Sequence, residues 1–161
     1  MDVKCKPASH LLRKARYSQL ARCYLITTVT DHRKPVFNDF ILARCLIKVL
    51  RDLHDAGVVE IMAFVVMPDH LHCLLVLSES QTLSDAVRLI KGRSARLINE
   101  VRNESGKLWQ PGFHDHALRD GEQLDDYVDY ILANPVRKML VENISQYPHW
   151  DVLSDGYFNR G

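Results

Sequence analysis

The chain predicts an α+β protein, an antiparallel sheet of four to five strands with helices packed on one face. Three observations predict it. Short runs rich in β-branched and aromatic residues alternate with amphipathic runs in the order β-α-β-β-α-β-α, which places few strands among several helices. Two of the strand runs, over 58–67 and 70–77, follow each other with only a Pro-Asp turn between them, as in a hairpin. Finally, 47% hydrophobic and 25% charged residues in a chain of 161 describe one soluble globular domain large enough to bury a core.

Residues 1–21, with Lys4, Lys6, Arg13, Lys14 and Arg16, form a basic extension with some helical character around "HLLRKARYSQLA", and 22–161 form one domain. "CYLITTVT" (Cys23 to Thr30) is a strand, and "DHRKPVF" a loop. "NDFILARCLIKVLRDLHDA" sets Phe40, Ile41, Cys45, Val49 and Leu53, with Ile47 less regularly, near helical spacing, with Asn38 as N-cap and Gly57 as stop. "VVEIMAFVVM" and "HLHCLLVL" are the paired strands. "SDAVRLIKGRSARLINEVRN" is an amphipathic helix with Ser84 as its cap. Phe113 to Leu118 form a short strand. "DGEQLDDYVDYILANP" is a helix ended by Pro135, because proline biases the residue before it out of helical geometry. The tail packs in turns and a short helix.

No apolar run reaches the ~20 residues that cross a bilayer, and Met1 to His10 lack the apolar stretch of a secretory signal. The reading is a cytoplasmic protein without a membrane partner. Cys5, Cys23, Cys45 and Cys73 are widely spaced, without the C-x-x-C pair of a zinc site; the last three read as small core residues. The net charge is only +1, but it is unevenly spread. Arg88, Lys91, Arg93, Arg96 and Arg102 make one helix basic, and Asp120, Glu122, Asp125, Asp126 and Asp129 make an acidic block. That asymmetry suits a polyanion beside a metal, although solvated helix faces explain either cluster alone.

The chemistry concentrates in "VVMPDHLHCLLVL". A buried strand avoids groups that demand hydrogen-bond partners, yet this one carries His70 and His72. Alternation puts both imidazoles on one face, about 6.6–7 Å apart along the strand, so their side chains can converge on one cation. Leu71, Cys73 and Leu75 point the other way. Downstream, Tyr130 and Asn134 in "DDYVDYILANPV" are four residues apart and share a helical face, on the flank of a stripe of Leu124, Val128, Ile131 and Leu132. A tyrosine there can pack its ring and still present its hydroxyl to a cleft.

The His-hydrophobic-His run resembles the HUH signature of single-strand DNA nucleases in the form found in single-tyrosine transposases. Together with "YLITTVT", "RLIKGRSARL", "LWQPGFHDHALR", "YVDYILANPVRKMLV" and, more loosely, "YPHW", it makes residues 22–150 resemble the REP-associated tyrosine transposases. The resemblance implies a ferredoxin/RRM-like HUH fold over the 22–161 catalytic domain. It implies Tyr130 as nucleophile, with His70, His72 and Asn134 as ligands of Mg²⁺ or Mn²⁺. The implied reaction cuts single-stranded or palindromic-repeat hairpin DNA through a 5′-phosphotyrosine and a free 3′-hydroxyl. The protein is then a monomer or a homodimer. Tyr127 is the rival nucleophile, but it does not stand four residues before the asparagine. Neutral imidazoles and an amide leave the cation's Lewis acidity for the phosphate. A phenol, with a pKa near 10, needs that help at neutral pH. Arg88, Lys91, Arg93 and Arg96 are the candidate phosphate contacts. His114 and His116 support the site, touch DNA or are a structural pair; Trp109 and Phe113 stack on bases or fill the core. A hairpin-binding module that does not cut, or a metal-dependent hydrolase that uses water, are the competing functions.

Overall fold

The structure, a computed structural model, describes residues 22–153. The basic extension 1–21 lies outside the described residues. Within them five strands form one antiparallel sheet, β1 (Cys23–Val29), β2 (Glu60–Met67), β3 (His70–Val76), β4 (His114–Ala117) and β5 (Trp150–Val152), in the order β4-β1-β3-β2-β5. The helices are α1 (Phe40–Asp55), α2 (Leu83–Arg102) and α3 (Leu124–Arg137). The expected α+β sheet is therefore present with five strands.

Strand β3 sits at the centre, and six of its seven residues are buried. A strand covered on both sides can be apolar on both sides, which explains why "HLHCLLV" is so greasy. Residues Leu71, Cys73 and Leu75 join Ile26, Phe64 and Val66 in a core closed by α1 and α2 through Leu46, Leu50, Ile90 and Ile98. These two helices are the expected layer. The third departs from it. Helix α3 lies on the opposite face, where Leu124, Val128 and Ile131 cover Cys23, Val65, Leu74 and Val76. The second apolar row of β3 requires that cover, since exposed it would forfeit ~25 cal/mol for each Å² of apolar surface left in water.

Helix ends follow local chemistry. Asp39 rather than Asn38 caps α1, accepting from the amides of Ile41 and Leu42 at 2.9 and 3.2 Å. Gly57 ends it as expected: its φ of +68° lets its own amide reach His54 O and that of Val58 reach Leu53 O, each at 2.9 Å. Thr82, not Ser84, caps α2 by accepting from the Asp85 amide at 3.1 Å. Pro135 does not end α3, which runs on to Arg137. The proline removes the amide that would reach the Ile131 carbonyl. The Asn134 side chain donates to Tyr130 O at 2.9 Å and, more weakly, to Ile131 O at 3.4 Å, so the residue before the proline supplies part of what the proline withdraws.

The "YPHW" stretch fastens β5 to β2. Val66 N–H donates to His149 O at 2.8 Å, Tyr147 Oη donates to Val66 O at 2.5 Å, and Trp150 stands opposite Val65. Cys23 and Cys73 are buried, Cys45 is half-buried, and all three are free thiols; Cys5 lies outside the described residues.

Candidate metal and nucleophile site

The face covered by α3 carries the polar residues of β3. His70 opens the strand and is half-buried; His72, two residues on, is buried. Their rings meet edge to face at 4.8 Å between centroids. Each Nδ1 is engaged. The Asp69 carboxylate accepts from His70 Nδ1 at 2.6 Å, and Thr27 Oγ1 lies 2.7 Å from His72 Nδ1. A carboxylate can only accept, so His70 Nδ1 carries a proton, and in the neutral ring Nε2 is the nitrogen that keeps a lone pair. The same tautomer at His72, with the threonine accepting, leaves that Nε2 free as well.

Electrostatics favours a neutral imidazole at His72. Burial, then His70, Arg137 and Lys138, push the His72 pKa down to about 4, so this ring is neutral at physiological pH and able to ligate. Burial pulls Asp69 upward, but hydrogen bonding by His70 and then by Arg33 (3.3 Å) leaves its carboxyl below its ordinary value.

Helix α3 brings the tyrosine to this pair. The Tyr130 ring stands 6.0 Å from that of His72, at 69°, and the residue is 40% exposed, so the ring packs while the hydroxyl stays reachable. The Arg137 guanidinium lies 4.9 Å from the centroid of the Tyr130 ring. Asn134, one turn beyond Tyr130, is buried; its amide nitrogen is occupied by the Tyr130 carbonyl, which leaves the oxygen as its open donor of electron pairs. Sheet and helix thus unite His70, His72 and Tyr130. The two imidazoles, together with the amide oxygen of Asn134, make a donor set that suits a divalent cation of the Mg²⁺ or Mn²⁺ class.

Other expected residues lie elsewhere. Arg88, Lys91, Arg93 and Arg96 line α2, across the sheet from the imidazoles. Arg88 pairs with Asp85 at 3.2 Å, Arg96 pairs with Glu100 at 3.1 Å, and Arg93 is exposed. Lys91 is committed within the chain: its Nζ donates to Gln110 O and Gly112 O at 2.7 and 2.8 Å, and burial lowers its pKa. Trp109 belongs to the core, its indole donating to Ser94 Oγ at 3.0 Å, and Phe113 packs against the same cluster. The register sets His114, Thr27 and His72 in one cross-strand row, with His116 beside Leu25 in the next. Tyr127, the rival, has its hydroxyl 2.7 Å from His116 Nε2; burial first, then Glu122, push its phenol up to about 12.

Four residues of the site escape a reading of the sequence. Thr27 is visible only through strand register. Asp69 adjoins His70 in "PDH" and was open to recognition. Arg137 and Lys138 sit beyond Pro135, where a helix expected to stop hides their spacing from Tyr130. Near His70, Lys138 is joined by Arg33: a cleft of about 380 Å³ is lined by Arg33, Pro68, Asp69, His70, Lys138 and Leu140.

Residues 19–134 match the family described as Transposase IS200 like. The chain is 36% identical over 122 residues to the REP-associated tyrosine transposase of Escherichia coli (strain K12), covering 73% of this chain and 68% of that protein. It is 32% identical over 114 residues to a putative REP-associated tyrosine transposase of Haemophilus influenzae, covering 61% of this chain and 64% of that one. The chain therefore spans about two thirds of the length of these relatives. Among solved structures, a REP-associated tyrosine transposase bound to a REP hairpin superposes with a TM-score of 0.61 at 30% identity, covering 81% of this chain and 76% of that chain.

Proposed function

Since the chain belongs to the IS200-like transposase family, within it to the REP-associated tyrosine transposases, we propose that it cuts and rejoins single-stranded DNA at palindromic-repeat hairpins, with Tyr130 as the nucleophile. The observation that carries this reading is the 6.0 Å approach of the Tyr130 ring to a histidine pair whose Nδ1 atoms are both engaged. That arrangement leaves two parallel tasks to two elements. The strand presents ligands, and the helix presents an attacking oxygen.

His70 and His72 through Nε2, and Asn134 through its amide oxygen, would hold Mg²⁺ or Mn²⁺. When bound, the ion supplies neutralisation of the scissile phosphate and its alignment. Among the described residues no cluster of three or more His, Cys, Asp or Glu side chains is arranged to hold an ion, so the pair needs a ligand of another type. Tyr130 Oη attacks phosphorus, forming a tyrosyl–phosphate bond to the 5′ side. The bond to the 3′ oxygen breaks, and that oxygen leaves as a hydroxyl with one proton, balancing the proton that the phenol gives up. The phosphodiester energy is kept in the covalent link, so a 3′-hydroxyl can reverse the step without ATP. Arg137, held over the Tyr130 ring, and Lys138 offer cationic contacts for the phosphates beside it. Arg88, Arg93 and Arg96 on the far side of the sheet would touch the hairpin backbone, making binding salt-dependent, while Lys91 shapes the turn next to them.

The test is incubation with a labelled hairpin-bearing strand and Mg²⁺ or Mn²⁺, read on a denaturing gel. The reading expects a protein–DNA adduct that vanishes with chelator, with Tyr130→Phe and with His70→Ala. Cleavage that survives Tyr130→Phe would favour attack by water; tight binding without cleavage would favour a recognition module.

A further inference from the structure

A second cleft, of about 490 Å³, opens between β4 and α3 and is bordered by Leu25, His116, Glu122, Asp126, Tyr127 and Tyr130. Its chemistry differs from that of the cation-lined cleft beside His70. Its wall is a stacked pair of rings, His116 and Tyr127, with centroids 5.5 Å apart and planes at 21°. The Tyr127 hydroxyl and the Glu122 carboxylate both converge on His116 Nε2, at 2.7 and 3.3 Å, so the wall is pinned. Glu122 also accepts from the Arg119 amide at 2.8 Å. Leu25, opposite His116 in the register, adds an apolar surface. The side chains of His116 and Glu122 stay 40% and 32% exposed.

The geometry points to this cleft as the seat of one unpaired nucleobase next to the scissile phosphate, selected for an exocyclic amino group that faces Glu122. This rests on the proposed strand-transfer function and adds a specificity site to it. The volume falls in the ~300–1,000 Å³ range of small-ligand sites. Fixed aromatic faces are what an unstacked base uses. The rim decides between parts of a nucleotide. Carboxylates at Glu122 and Asp126 repel a phosphate, yet they accept from the amino groups of cytosine, adenine or guanine; thymine has none to give. Backbone donation from Arg119, the leading cause, keeps the Glu122 pKa below its ordinary value, so the rim stays charged. Tyr130 borders this cleft and also contacts His72, so a base seated here is one step from the oxygen that attacks.

The test separates binding from chemistry by using Tyr130→Phe as the background. Hairpin oligonucleotides carrying a single-stranded flank are scanned with an abasic residue at each flank position, and affinity is read by fluorescence anisotropy. One position is expected to lose roughly 5- to 100-fold on base removal, and there thymine is expected to bind more weakly than the amino-bearing bases. Tyr127→Leu flattens that loss at that position alone, whereas Tyr127→Phe, which keeps the ring, preserves it. Glu122→Gln, at a half-buried carboxylate, removes the discrimination against thymine. An abasic profile unchanged by Tyr127→Leu and Glu122→Gln, with hairpin binding intact, would overturn the base seat and leave the transposase reading standing. Failure of the unmutated chain to bind any hairpin oligonucleotide would contradict that reading and the seat together.

Discussion

The two faces of β3 are built from one seven-residue stretch and do opposite things. Toward α1 and α2 it presents Leu71, Cys73 and Leu75, all buried in hydrocarbon. Toward α3 it presents His70 and His72 at one end and Leu74 and Val76 at the other. The first face is uniform and serves stability. The second is graded, apolar where α3 is anchored and polar where the helix carries Tyr130 and Asn134. The proposed metal and nucleophile site can sit in the middle of a sheet because the adjacent residues, one position away, face a complete core and hold the strand in place.

Substitutions test that difference, and the largest effect is expected at Tyr130, the proposed nucleophile. Tyr130→Phe is expected to lower adduct formation by on the order of 10³-fold or more, while urea unfolding shifts by no more than about 0.5 kcal/mol, because the hydroxyl of a 40%-exposed tyrosine is removed. The sharpest contrast is between neighbours. Leu71→Ala should cost ~2–5 kcal/mol of stability yet leave Mn²⁺ binding by the folded protein in place. His72→Ala should abolish that binding in calorimetric titration. Equal effects of these two on both measurements would erase the distinction between the faces.

Smaller changes sharpen it. Thr27→Val keeps a β-branched strand residue but removes the partner of His72 Nδ1, and it should weaken Mn²⁺ affinity by ~10–100-fold. Arg93→Ala should reduce hairpin affinity only modestly and equally across sequences, and lower the slope of log affinity against log salt by about 1. A sequence-dependent loss there would mean that α2 reads bases.

Much of this was legible in the sequence for a physical reason. Period-two alternation in "HLHCLLV" fixes which residues share a face, and Gly57 marks a helix end because only a left-handed turn closes it there. The four-residue interval from Tyr130 to Asn134 survives in α3. What stayed hidden depends on long-range packing. That α3 covers the second face follows from apolar area on β3 that no local pattern assigns to a partner. That α3 outlasts Pro135 follows from burial of the proline and from the Asn134 side chain, which overrule a local bias. Thr27 lies 45 residues from His72 and meets it only through register. The residue types of the candidate site were readable; the partners that orient them were not.

The most direct measurement of the central claim is mass-spectrometric mapping of the trapped protein–DNA adduct, formed with Mn²⁺ on a hairpin-bearing strand. A single modified peptide is expected, with the 5′-phosphate on Tyr130, absent when His72 is alanine. A phosphate carried by Tyr127, or an adduct that forms equally well without the imidazole pair, would contradict it.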